Sequence, residues 1–175
     1  MDELMLQAYE HETAFDGTWQ DEVHLLFAER EKSRYRTTTR DGRELGWFLP
    51  RGNILGDGDV LVCENSEIIM IRAASESLTE ATSDDPLLLL RAAYHLGNRH
   101  VSLQILPGAL RFPRDHVLEH MLEGLGLEVC AIDDAFHPES GAYAVVHSHD
   151  HAHGHDPDHD HDKSTGGDRD DHSHA

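Results

Sequence analysis

Residues His147–Ala175 hold nine of the sixteen histidines of the chain, interleaved with eight aspartates and no large apolar side chain. His-X-His steps recur at 147/149, 149/151, 151/153, 153/155, 159/161 and 172/174. Neutral imidazole is a good ligand for nickel, copper and zinc, and carboxylates add charge and secondary ligands. On a flexible chain, His147, His149, His151, His153, His155, His159, His161, His172 and His174 can chelate in many equivalent combinations. The expected result is a set of exchangeable sites of moderate strength with no single fixed geometry. A purely solubilising end would need the aspartates but not the imidazoles. Copper stands above nickel and zinc in intrinsic affinity, so selectivity must come from geometry, supply and a downstream recipient. Because metal competes with protons for the imidazoles, affinity should fall as the pH drops toward ~6.5 and below.

Seven histidines lie outside this segment. His100, in "LGNRHVSLQ", follows a helix that Gly97 and Asn98 bring to an end. Alone it is an exposed imidazole near a helix C-terminus, a place that suits a cation. A tight metal site usually needs three or four protein ligands. A two-fold axis at this loop would set two copies of His100 side by side, and the tethered tail, at an effective concentration of roughly millimolar, could complete the shell. The bland and the metal-binding readings both stand at this point. His116 and His120 are spaced i, i+4 on a helix, which can place two imidazoles on one metal. His120 reads as a helix-surface residue, whereas His116 opens the helix in "RDHVL". His95 reads as a packing or capping residue, and His11, His24 and His137 have no nearby sequence partner. No phosphate loop, nucleophile elbow or Cys-X-X-Cys accompanies them, so an enzyme is not expected.

The elements that must present these side chains fall into two kinds. Residues 1–74 read as β-structure, with strands expected at 23–29, 33–39, 43–49, 59–63 and 67–73, separated by Asp41-Gly42, Gly52-Asn53 and "GDGD". A small all-β barrel or sandwich fits. Residues 75–146 read β-α-β-β-α-β, the ferredoxin-like arrangement. Asp85 and Asp115 are the expected N-caps of its helices, Pro86 sits at a first helical position, and Gly97 is the expected C-terminal glycine. Residues 147–175 cannot bury enough surface to fold alone and are expected to be a disordered, metal-binding tail. The fold class is therefore α+β with a His-rich extension.

The formal charge is −20, of which the tail carries −6 and residues 1–146 carry −14. Such a chain is repelled by phosphate backbones, and nucleic acid is not an expected partner. "MDELMLQAYE" lacks the basic and apolar parts of a signal peptide, and "PLLLL" is too short to span a bilayer. Cys63 and Cys130 lie in apolar stretches and read as reduced thiols, so a cytoplasmic location is expected, with no membrane.

Three stretches, "GRELGWFLPRGNILGDGDVLV" (42–62), "YHLGNRHVSLQI" (94–105) and "RDHVLEHMLEGLG" (114–126), together with the tail, resemble the UreE family of urease accessory proteins, nickel metallochaperones. The similarity spans roughly residues 1–146 in the family's order. It implies a β domain that meets partner proteins and a ferredoxin-like domain that forms a homodimer and binds Ni(II), with Zn(II) or Cu(II) as competitors in vitro. His100 matches the central metal ligand, presented by both subunits, and His116 matches a peripheral position. Arg114 stands where some relatives carry a further histidine, and Ser102 where many carry proline. The resemblance also implies delivery to the urease maturation complex, with a UreG-type GTPase as recipient. The alternative is a cytosolic nickel or zinc buffer with no dedicated recipient.

Overall fold

The computed structural model describes residues 5–140. The nine tail histidines, His147 to His174, lie outside the described residues.

Seven strands and a short helix occupy the stretch to Thr82: β1 (Leu6–Glu12), β2 (Asp21–Leu25), α1 (Phe27–Arg30), β3 (Arg34–Thr38), β4 (Glu44–Phe48), β5 (Val60–Cys63), β6 (Ile68–Ala73) and β7 (Ser75–Thr82). The first six strands form one nearly closed, barrel-like sheet in the order β2-β6-β5-β1-β4-β3. Pairing is antiparallel except for β1 with β4 and β2 with β6. Period-two alternation drives it: Val23 and Leu25, Leu45 and Trp47, and Ile69 and Ile71 point inward and are buried. Each such side chain contributes roughly 1.5–3 kcal/mol by leaving water. The indole of Trp47 donates to the carbonyl of Lys32 at 2.7 Å, which satisfies its one polar atom.

A buried polar network locks the rim of this sheet. Asp21, 5 % exposed, accepts from Arg43 Nε at 3.2 Å and Nη2 at 3.1 Å, and from the Glu22 amide at 2.8 Å. Arg43 also donates to Glu67 at 2.5 Å. A buried carboxylate is tolerable because each lone pair has a donor.

The second sheet is built from β7, β8 (Gln104–Leu106), β9 (Ala109–Pro113) and β10 (Glu128–Ala135), with α2 (Pro86–Gly97) and α3 (His116–Leu125). The order β10-β7-β9-β8 is antiparallel throughout and matches the ferredoxin-like expectation. Both helices share one core with the sheet, centred on Ala92, Leu96, Leu110, Phe112 and Leu122. Asp85 and Asp115 cap them as expected, accepting from Leu87 N at 2.9 Å and Val117 N at 2.8 Å.

The two sheets meet through Arg30, only 2 % exposed, which donates to the carbonyls of Leu55, at 3.2 Å, and Phe136. Phe27 packs edge-on against Phe136 with ring centroids 5.4 Å apart.

Three expectations need correction. β1 is an additional strand beyond those expected: in "LQAYEHE" only Leu6 and Ala8 form an inward apolar pair before glutamates break the alternation, and their burial depends on neighbours far along the chain. The strand expected at 23–29 ends at Leu25, and a four-residue helix follows. Glu29 bonds the Leu26 amide at 2.8 Å, a local contact that turns the chain into a helix. Gly97 is the last residue of α2 rather than its left-handed terminator, and that conformation falls on His100.

Candidate metal centre

The end of α2 explains how His100 is held. The Val101 amide reaches back to Leu96 O at 3.4 Å and the His100 amide to Gly97 O at 2.9 Å. These crossed bonds form a Schellman ending, which requires one left-handed residue between them. His100 occupies it with φ +55°. Glycine is the usual occupant, but histidine, like asparagine and aspartate, is enriched among the non-glycine residues found there. Val101 and Leu96 both lie in the second core, which supplies the apolar contact that accompanies this motif. The backbone beneath the imidazole is therefore fixed, while the side chain itself is exposed. Holding a side chain in this region costs about 1 kcal/mol.

His116 is the first residue of α3 and is also exposed. Its helix start is fixed by Asp115, which accepts from both Val117 and Leu118. Nearby, Glu119 accepts from Thr79 Oγ1 at 2.7 Å and lies 3.4 Å from Arg114 Nε. That carboxylate is already engaged by the sheet and by a cation. His120 projects into solvent with its side chain 91 % exposed, 3.6 Å from Glu123. Among the described residues, no three histidine, cysteine, aspartate or glutamate side chains converge to hold a metal. One chain thus offers exposed single imidazoles and no complete metal shell from residues 5–140.

The remaining histidines have other places. His11 sits 2.7 Å from Asp59, a partner 48 residues away that no local reading could find. His24 lies 3.2 Å from Glu22, and the His95 ring packs edge-on against Tyr94 with centroids 5.4 Å apart. The His137 amide donates to Gln104 at 3.1 Å. Both cysteines are free: Cys63 is buried in the first sheet and Cys130 is exposed on the second. Burial pushes the Cys63 thiol up to about 11, with the nearby Glu67 carboxylate adding to the effect.

The outer face of α2 was missed in sequence. Leu87, Leu90 and Tyr94, spaced by three and four, are 62 %, 67 % and 66 % exposed. The available signal was that "PLLLLRAAYHL" is apolar on both faces: Leu88, Leu89, Ala92 and Leu96 face inward and the other set is left outside. A helix apolar on both sides is normally covered on both sides. This stripe runs along α2, whose C-terminal ending His100 closes. No helix among the described residues is long and apolar enough to cross a membrane.

Comparison with known proteins bears on both halves. Residues 5–74 match the family described as UreE urease accessory protein, N-terminal domain, and residues 76–162 match its C-terminal domain. The urease accessory protein UreE of Teredinibacter turnerae is 51 % identical over 140 residues, covering 79 % of this chain and 91 % of the relative. That of Pseudomonas putida is 55 % identical over 122 residues, covering 69 % and 73 %. That of Proteus mirabilis is 50 % identical over 119 residues, covering 68 % and 74 %.

Proposed function

The chain belongs to the UreE family of urease accessory proteins, and from that membership we propose that it captures Ni(II) and delivers it for assembly of the urease active site. Its part in urease maturation is an accessory one, distinct from the catalytic work of urease itself. Nickel here is cargo, so the binding groups must let go as well as hold.

The observation that carries the reading is His100: an exposed imidazole on a backbone locked by the end of α2, with no partner side chain among the described residues. One such ligand is too few. The apolar stripe of Leu87, Leu90 and Tyr94 supports self-association through α2, which would bring a second His100 to the same ion. Two imidazoles leave open coordination positions through which a recipient's ligands enter before the old bonds break. His116, at the start of α3, is assigned a peripheral and weaker site, since Glu119 is committed elsewhere and Arg114 is cationic. The tail histidines, His147 to His174, are assigned the first capture of ions at low free concentration, and the β domain the docking of maturation partners, with a UreG-type GTPase as recipient. The setting is the cytoplasm.

Isothermal titration with nickel of the full-length protein and of a form ending at residue 146, with molecular mass measured alongside, tests this. The expected result is a dimer in both, several ions per dimer in the full chain and one in the shortened form. A shortened form that is dimeric yet binds no nickel would give the tail the essential ligands. Unaltered uptake on replacing His100 would remove it from the mechanism. Large capacity with no nickel-dependent complex with the GTPase would favour a buffering protein instead.

A further inference from the structure

The first sheet carries a second surface with chemistry of its own. On the outward face of β3 and β4, Arg34 stands opposite Phe48 and Arg36 opposite Gly46. Tyr9 of β1 extends the same row, 46 % exposed beside Phe48 at 58 %. These residues line a groove of about 550 Å³, which continues past Tyr9, Arg34 and Phe48 into a second hollow reaching Arg51. Gly46 forms part of the floor, where the missing side chain leaves the trough open between Met5 and Arg36.

Charge makes this groove unusual. On a chain of net charge −20, Arg34, Arg36 and Arg51 are exposed, and among the described residues none is within ion-pair distance of a carboxylate. The other arginines of the sheet, Arg40, Arg43 and Arg72, are all paired. The Arg34 guanidinium lies 5.7 Å from the centroid of the Phe48 ring, presenting cation and aromatic surface together. Exposed aromatics and unpaired arginines are the residue types that dominate binding surfaces.

We infer that this groove docks an extended acidic segment of a partner protein, with apolar side chains against Tyr9 and Phe48 and carboxylates on Arg34, Arg36 and Arg51. The inference deepens the reading that the β domain meets maturation partners, and rests on it for the identity of the complex. Strand β3 ends the sheet, so an extended ligand finds a row of side chains with matching period beside it. Residues 147–175 are acidic but hold no large apolar side chain for the aromatic row, which favours a partner over the chain's own tail. Nucleic acid would meet the repulsion of the whole chain.

The test uses fluorescence anisotropy of the full-length protein with a labelled peptide alternating leucine and glutamate, and a twin in which glutamine replaces every glutamate. The acidic peptide is expected to bind at least about tenfold more tightly than its twin. An Arg34→Gln, Arg36→Gln double variant should weaken it about tenfold, and Phe48→Ser by a similar factor. Gly46→Val should also block the groove, since a Cβ there meets Met5 Sδ at 3.5 Å and Arg36 Cγ at 3.6 Å, which are ordinary contacts. Circular dichroism confirms that each variant is folded before its affinity is compared. Equal binding of the twin, tighter binding of oligothymidylate, or acidic-peptide binding that emerges only when residues 147–175 are removed would each overturn the inference. Nickel occupancy read in the same samples separates the two claims: its loss strikes the metal reading and leaves the groove.

Discussion

The two halves of the molecule treat a histidine in opposite ways. In the β domain, His11 is tied to Asp59 at 2.7 Å with both side chains near 10 % exposed, and Asp59 also holds the Gly56 amide. The imidazole is tied to a carboxylate and is part of the fold. In the α+β domain, His100 is exposed, sits in a left-handed backbone position and rests on a helix whose outer face is uncovered. The first arrangement spends a histidine on stability; the second leaves one available at some cost to stability. Availability is therefore the trait to look for in a cargo ligand. The two regions also differ in what a mutation should damage.

The largest effect is expected on the uncovered face. Leu90→Asp with Tyr94→Asp should weaken self-association by at least about a thousandfold, since charged groups would replace apolar ones in both copies. Sedimentation should show a folded monomer, and the nickel ion proposed for the interface should be lost with the dimer. A stable dimer in that variant would move the interface away from α2.

Next come the buried groups of the β domain. Asp21→Asn should cost about 2–3 kcal/mol in denaturant unfolding and leave nickel uptake per folded dimer unchanged. Burial alone would raise the Asp21 carboxyl, but Thr39, the Glu22 and Asp41 amides and Arg43 outweigh it and hold the carboxyl below its ordinary range. Asp134 is likewise held down, first by the Ala135 amide and then by Arg111. A carboxyl lowered on folding adds stability that is complete above its unfolded value, about 4, and lost as the pH falls through the folded one. Melting temperature should therefore drop steeply below about pH 4, and less steeply in Asp21→Asn.

A smaller effect isolates the left-handed site. His100→Gly should be about 1 kcal/mol more stable than His100→Ala, because glycine accepts φ +55° without strain. Equal stability of the two would mean that the crossed bonds at the end of α2 do not hold in solution. The smallest effect concerns the thiols. Cys130 should react with an alkylating agent at neutral pH while Cys63, buried and raised to about 11, stays unmodified until the protein unfolds.

Local chemistry explains which parts of the fold could be read before the structure was seen. Asp85 with Pro86, and Asp115 ahead of Leu118, Met121, Leu122 and Leu125, announce α2 and α3 because caps and helical period are properties of neighbouring residues. The Asp41-Gly42 turn likewise announces the β3–β4 hairpin, where Gly42 has φ +87°. The hidden parts depend on distance. β1 is buried by β4 and β5, which come more than thirty residues later. The Asp21–Arg43–Glu67 network and the His11–Asp59 pair join residues that sequence spacing cannot relate. At the candidate site, the exposed position of His100 could be anticipated from the end of a helix. Its left-handed backbone could not, because Gly97 and Asn98 were the more obvious terminators and only the bonds from His100 and Val101 move the ending by three residues.

The pairing of two His100 side chains on one ion is tested most directly by native mass spectrometry of the form ending at residue 146, with and without His100→Gly, at one nickel per dimer. The account predicts a dimer carrying a single ion in the parent and a folded but metal-free dimer in the variant. A variant dimer that keeps its ion, or a parent that holds nickel as a monomer, would contradict it.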